Sequence, residues 1–490
     1  MANRAALLSV RAPMNVLSLL YASLVLCLCA HGAHRWVHVW RVLRHRSRPV
    51  ELPASEEAFP FVTVQLPVYN ERDVVARLID SVAALDWPRD RFEVQLLDDS
   101  SDDTAAAAAA AIARARMSGV NVSVITRRDR RGFKAGALAH GLERARGELV
   151  AIFDADFTPQ PSFLRDLIPH FSASDVGMVQ ARWGHLNAEA SWLTRAQARM
   201  LDAHFSVEHF GRNRAGLWFN FNGTAGIWRK SCIHAAGGWQ GDTLTEDLDL
   251  SYRAQMAGWR FVYRDDVEVP AELPETIPSF LAQQRRWAKG SVETLLKLGR
   301  RVLRSAAPLS VRAEALHHLT GNLAWPLALL VAILLPAVVT LPGEPIGRSL
   351  LLGVPAFLAA TLSHAAFFAL PARARLRDVP LAVILGIGLA VSQTGAVFEA
   401  LAGRRSAFVR TPKQGGGAGS YTAEAPAPWP VELGLAAWQF VGITMELAHG
   451  RWQAIPFLCL FAAGFAWVGA GQIWERRAGA PAVEAEIAAK

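Results

Sequence analysis

Apolar positions along this chain fall into two patterns. Toward both ends they form long unbroken runs, and between residues 61 and 300 they form short runs separated by stretches of helical character. The short runs Phe61–Leu66, Glu93–Leu97, Val120–Ile125 and Glu148–Phe153 predict buried strands. The alanine-rich stretch 104–116 predicts a helix, since alanine has the highest intrinsic helix propensity. Alternation of the two predicts a parallel, doubly wound α/β sheet. Ligands of such sheets bind beyond the carboxyl ends of the strands, so those ends are where chemistry is expected.

The long runs are 14–33, 316–341, 349–370, 379–398, 431–447 and 453–474. About 20 apolar residues suffice for a helix to cross a bilayer. Run 14–33 reads as an uncleaved anchor, because no small-residue cleavage site precedes the next segment. Arg35, Arg41, Arg44, Arg46 and Arg48 follow it, against Arg4 and Arg11 before it. The positive-inside rule then puts the central region in the cytoplasm. If every C-terminal run crossed, the loop with Arg404, Arg405, Arg410 and Lys413 would lie outside, against that rule. Segment 379–402, which carries Gln393, Thr394 and Glu399, is therefore expected to be interfacial or re-entrant, leaving five spans. The expected organisation is an anchor (1–34), a basic, Pro-rich linker (35–60), an α/β domain (61–275) and amphipathic interfacial helices (276–310). A membrane region (311–475) containing the loop 403–429 and a short cytoplasmic tail (476–490) complete it.

Candidate chemistry gathers at the strand ends. The fourth strand runs into Asp154-Ala155-Asp156, two carboxylates on one side of an extended chain. Like charges this close repel by about 4 kcal/mol at an effective dielectric near ~20, so the pair favours a bound cation. Oxygen donors of this hardness suit Mg2+ or Mn2+, which bridge to substrate phosphates. A helix N-cap followed by a solvated acid is the plainer reading. The first strand ends in Pro67-Val68-Tyr69-Asn70-Glu71 and the second in Asp98-Asp99-Ser100-Ser101-Asp102-Asp103. Gly132-Phe133-Lys134 follows the third. A nucleotide suits this set, with Tyr69 stacked on the base, Asp99 accepting from base or ribose, and Lys134 meeting phosphate. Singly, the Asp-Ser-Ser-Asp segment is also a good helix cap and Lys134 an ordinary surface lysine; their convergence favours a site.

Further along, Asn222-Gly223-Thr224-Ala225 is either a plain turn or a loop whose backbone approaches a ligand closely. In Thr245-Glu246-Asp247, Thr245 is expected to cap a helix whose dipole favours the two carboxylates; a general base is the functional alternative. Gln283, Arg286 and Trp287 share one helical face, while Gln284 and Arg285 turn away. That face suits a diphosphate and a sugar ring, and residues 275–305 also read as a basic amphipathic helix on anionic lipid.

Composition adds two constraints. A chain of 490 residues that is 52% hydrophobic is too apolar for an ordinary soluble enzyme, and its net charge of +8 sits beside the apolar runs. That favours a membrane face over nucleic acid. Cys27, Cys29 and Cys459 lie in apolar stretches and Cys232 stands alone, so no disulfide framework or zinc spacing exists.

Asp98-Asp99, Asp154-x-Asp156, Thr245-Glu246-Asp247 and Gln283-x-x-Arg286-Trp287, in this order and followed by apolar runs, resemble the motif set of the processive family 2 glycosyltransferases. That family includes cellulose synthase and the cellulose-synthase-like mannan and glucan synthases, and the resemblance runs through nearly the whole chain. It implies a GT-A (Rossmann-like) catalytic domain on the cytoplasmic face, an α-helical transmembrane channel, and a Mg2+ or Mn2+ cofactor. By motif position it implies Tyr69, Glu71 and Asp99 at the nucleoside, and Lys134 and Asp154 at the diphosphate. Asp156, with Asp154, would bind metal. Asp247, beside Glu246, would be the general base. Gln283, Arg286 and Trp287 would hold the diphosphate and the acceptor-end sugar, and Gly223 and Thr224 would line the acceptor pocket.

The segment Phe408-Val409-Arg410-Thr411-Pro412-Lys413 resembles the family's gating loop, which closes over bound nucleotide; Arg410 departs from the usual apolar residue. The chain ends shortly after its last apolar run, so the cyclic-dinucleotide-binding barrel of many bacterial cellulose synthases is not expected in it. The single N-terminal span and the motif wording resemble the mannan/glucan branch. The implied reaction is inverting transfer from UDP-glucose or GDP-mannose to a growing polysaccharide. A single-transfer glycolipid enzyme shares Asp-x-Asp and an anchor. A transporter or scaffold with a degenerate domain is disfavoured, because every motif position holds a competent residue.

Overall fold

The computed structural model describes residues 16–46, 59–340, 361–371, 375–404, 413 and 428–488. Its centre is a seven-stranded sheet of order β3-β2-β1-β4-β6-β5-β7. Strands β1 (Val62–Val68), β2 (Phe92–Asp98), β3 (Asn121–Thr126) and β4 (Leu149–Ile152) pair in parallel, as the sequence predicts. The other half departs from the expected all-parallel sheet. Strand β6 (Gly226–Arg229) runs antiparallel to both β4 and β5 (Val176–His185), and β5 pairs in parallel with β7 (Arg260–Ala271). The reversal matters for the site. Ile152 pairs with Gly226, so the loop entering β6 lies beside the segment leaving β4. The ends of β5 and β7 reach the same edge.

Side chains alternate across the strands. Val62, Val64, Leu66 and Ala151 pack on one face against helices α1 (Val75–Ala83) and α2 (Thr104–Met117). Leu97, Val150 and Ile152 pack on the other with Leu138 of α3 (Phe133–Leu142) and Leu250 of α4 (Glu246–Met256). Each fully buried Leu, Val or Phe contributes about 1.5–3 kcal/mol of burial free energy. Helices on both faces explain why the central strands read as near-continuous apolar runs.

Among the described residues, three helices are long and apolar enough to cross a membrane: Val16–His45, Leu309–Thr340 and Ile455–Glu475. Tyr21 and Val25 of the first pack with Val331, Leu335 and Val339 of the second and Phe461 and Phe465 of the third. Helix Trp429–Ala448, also expected to span, buries Glu432, Gln439 and Glu446 and is not among the three. Segment 379–402 is a bent pair, Leu376–Gly388 and Ala390–Leu401, meeting at 45° and counted as a fourth crossing only if the pair is one broken span. Of run 349–370, residues 349–360 lie outside the described residues.

Helix α5 (Ile277–Arg304) joins the two halves. Part of its polar outer face is engaged by protein. Arg285 donates to Ser392 O (2.7 Å) and Glu399 Oε1 (2.6 Å), and Lys289 Nζ donates to Arg404 O (2.6 Å). Those residues thus dock the helix on Ala390–Leu401 and the turn after it.

Candidate active site

The carboxyl edge of the sheet opens into a cleft of about 180 Å³, walled on the opposite side by α5. Asp154 follows β4 and Lys134 lies in the first turn of α3. Lys134 Nζ donates to the Asp154 carboxylate and to Gly223 O (2.9 Å), and lies 4.0 Å from Glu246 Oε1. Burial alone would lower the Lys134 pKa, but Asp154 and Glu246 outweigh it and hold the ammonium above its usual range. Thr224 Oγ1 accepts from Asp154 N–H (2.9 Å), fixing the Gly223 loop against the strand end. Gly223 has φ +82°, and a Cβ there would stand 3.0 Å from Asp247 Oδ2 and 3.2 Å from Lys134 Nζ. Only glycine fits that backbone and that gap.

Asp247 occupies the first turn of α4 and accepts from Leu248 N–H at Oδ1 (2.8 Å). Burial and the neighbouring Glu246 charge push its carboxyl up to about 7, against the pull of Lys134. Glu246 is also raised by burial, opposed by Lys134. An Asp247 carboxyl raised to about 7 suits proton transfer. Thr245 stands at the N-cap but makes no capping bond; its hydroxyl lies 3.4 Å from Thr294 Oγ1 on α5, where packing between helices outweighs the cap.

Asp156 is buried and accepts at Oδ2 from Lys413 Nζ (2.7 Å) and Glu272 N–H (3.2 Å). Phe408, Arg410 and Thr411 of the expected gating loop lie outside the described residues. Gln283, Arg286 and Trp287 line the cleft together, with the Trp287 ring centroid 6.3 Å from that of Trp183. Asp154 and Asp156 offer carboxylate oxygens, and each currently takes a lysine ammonium. This oxygen-only, cation-holding set fits a hard divalent ion.

Tyr69, Glu71 and Asp99 line the cleft, though Tyr69 and Asp99 are engaged differently from expectation. The Arg130 guanidinium lies 3.2 Å from the Tyr69 ring centroid, covering one face. Asp99 is paired through both oxygens with Arg127, whose Nε donates over 3.0 Å. Alanine-helix capping falls to Asp102, whose Oδ1 accepts from Thr104 N–H (3.0 Å). Sequence reasoning missed Arg127 and Arg130, although four arginines in 127–131 were a visible signal. It also missed Trp183, His185 and Glu272, which line the cleft from elements it did not assign.

Residues 60–290 match the family model described as glycosyltransferase-like family 2. These residues form a glycosyltransferase-like family 2 domain. The chain is 43% identical over 272 residues to glucomannan 4-beta-mannosyltransferase 1 of Oryza sativa subsp. japonica, covering 54% of this chain and 52% of that protein. Glucomannan 4-beta-mannosyltransferase 2 of Arabidopsis thaliana is 41% identical over 271 residues, covering 54% and 50%. The chain thus spans about half the length of these curated relatives. Among solved structures, the mannosyltransferase PcManGT from Pyrobaculum calidifontis, in complex with GDP-Man and Mn2+, aligns with TM-score 0.57 and 22% identity. The alignment covers 79% of this chain and 100% of that one. That likeness places the mixed sheet in the GT-A-like fold.

Proposed function

We propose that the chain is a membrane-embedded, inverting and processive β-glycosyltransferase that uses GDP-mannose to extend a mannan or glucomannan chain, with its catalytic domain on the cytoplasmic side. The observation that carries this reading is the shared cleft of Asp247, Lys134, Arg286 and the Asp154/Asp156 pair. The names of the plant relatives favour GDP-mannose over UDP-glucose as donor. The three apolar helices support a membrane setting, and the arginines after the first support the cytoplasmic orientation.

Asp247 takes the proton from the acceptor hydroxyl as that oxygen attacks the anomeric carbon from the face opposite the leaving group. The new C–O bond forms as the bond to the β-phosphate oxygen breaks, so an α-linked donor gives a β-linked product. Lys134 and Arg286 meet the charge developing on the departing nucleoside diphosphate. Asp154 and Asp156 would hold Mg2+ or Mn2+, which supplies further charge neutralisation on the diphosphate. Tyr69 and Asp99, with Arg130 and Arg127 shifting to admit it, bind the nucleoside. Trp287 provides a platform for the acceptor-end sugar.

The test is radiolabel incorporation by purified protein in detergent with Mn2+ or Mg2+, offering GDP-mannose and UDP-glucose separately. A high-molecular-weight product from GDP-mannose, cut by β-mannanase, is the expected result. Label confined to the organic phase would replace it with a single-transfer glycolipid enzyme.

A further inference from the structure

A chain of polar contacts leads from the cleft to the N-terminal membrane helix. Asn222 lines the cleft one residue before Gly223, and its Nδ2 donates to His204 Nε2 (3.1 Å). Its Oδ1 is buried with no hydrogen-bond partner among the described residues. His204 Nδ1 donates to Glu208 Oε2 (2.9 Å), which leaves the Nε2 lone pair facing the amide. Burial pushes the Glu208 carboxyl up, but the His204 hydrogen bond and the Arg212 charge outweigh it and hold it well below the usual range. Arg212 Nε donates to Glu314 Oε1 (3.1 Å), and Glu314 Oε2 receives Arg41 Nη1 and His34 Nε2, each at 2.9 Å, from helix Val16–His45.

The backbone is arranged around the first link. Residues His204–His209 form a π-helical turn, a rare form that is frequent at functional sites. In an α-helix residues five apart point about 140° away from one another. The wider turn brings them nearer to one side, and the His204 and His209 rings lie 4.4 Å apart. His209 Nε2 lies 2.9 Å from Asn220 O, so two imidazoles brace one loop at alternate residues. His34, His38 and Glu314 also cluster within ligand distance, but Arg41 and Arg212 already neutralise Glu314 and would repel a dication.

We propose that His204 is a positioning residue for the acceptor sugar: it turns the Asn222 amide so that Oδ1 accepts from an acceptor hydroxyl, on a loop tied to the membrane helix. This rests on the glycosyltransferase reading of the cleft. The orphan oxygen requires a donor, which a sugar hydroxyl supplies and a phosphate does not. The next residue, Gly223, abuts Asp247, so that hydroxyl belongs to the sugar under attack.

The experiment compares wild type, His204→Asn and His204→Gln in lipid nanodiscs with GDP-mannose and β-1,4-manno-oligosaccharide primers. The asparagine amide reaches Glu208 but drops the Asn222 contact, whereas the glutamine carbonyl oxygen still accepts from Asn222. Expected for His204→Asn is a primer KM raised about tenfold, roughly one hydrogen bond's worth, with GDP-mannose KM unchanged. Expected for His204→Gln is recovery of primer KM. An unchanged primer KM in His204→Asn, or equal rises for donor and primer in both variants, overturns the proposal. Wild-type protein that consumes no nucleotide sugar would instead remove the reading of the cleft, and the proposal with it.

Discussion

At the scale of single residues, the proposed reaction separates a group that moves a proton from groups that hold charge. Asp247 is pushed up to about 7 by burial and by Glu246, so below neutrality it carries a proton and cannot accept another. Activity should therefore rise with pH through about 7, the two coupled carboxyls titrating as a pair. A kcat/KM profile between pH 5 and 9 checks this, and a rate independent of pH in that window would remove Asp247 from the role. Asp247→Asn should lose roughly 10²–10⁴ in kcat while calorimetry finds GDP binding nearly intact. Gly223→Ala places a methyl 3.0 Å from Asp247 Oδ2 on a left-handed backbone, so turnover should fall while the melting temperature drops only modestly. The places of Asp154 and Asp156 at the sheet edge were legible because they directly follow an apolar run that reads as a strand, whereas Glu246 and Asp247 read equally well as carboxylates on a helix dipole. The arginines on Tyr69 and Asp99 were not, since a basic loop reads as solvated until the fold turns it inward.

At the scale of elements, helix α5 works through two faces. One presents Gln283, Arg286 and Trp287 to the cleft, and the other fixes the helix to Ala390–Leu401 through Arg285 and Lys289. Arg285→Ala removes two charge-assisted bonds in a partly buried setting, worth about 1–3 kcal/mol together. The expected outcome is a lower melting temperature in detergent and a raised donor KM, because Arg286 sits on the same turn. A donor KM that stays fixed while stability falls would show that the cleft face does not depend on that docking. The faces were readable from 3.6-residue periodicity, but the partner was not, because periodicity says which side is polar and not what covers it. Strand β6 escaped detection for a related reason. Four residues carry too little alternation to be recognised, and its direction is set by pairing with β4 and β5.

At the scale of the whole molecule, the membrane region reaches into the catalytic cleft. Lys413 lies beyond Ala390–Leu401, yet its ammonium sits 2.7 Å from Asp156 Oδ2, a residue 257 positions earlier. A divalent cation at Asp156, as proposed, and the lysine on the same buried carboxylate would repel each other by about 8 kcal/mol at an effective dielectric of roughly 20 and a separation of about 4 Å. The two states therefore exclude one another: either Lys413 neutralises Asp156, or a metal with its nucleotide does and Lys413 is free to meet the phosphates. Lys413→Ala should accordingly tighten Mn2+ binding to the nucleotide-free protein, by at least about tenfold if roughly 1.4 kcal/mol of that repulsion is realised. The same substitution should slow turnover, since a cation is lost from the leaving-group side. Manganese titration followed by electron paramagnetic resonance, with kcat measured on the same preparation, reads both effects. Tighter Mn2+ binding with reduced kcat would make Lys413 an alternate occupant of the metal position. Unchanged Mn2+ affinity would mean that Asp156 binds metal without displacing it.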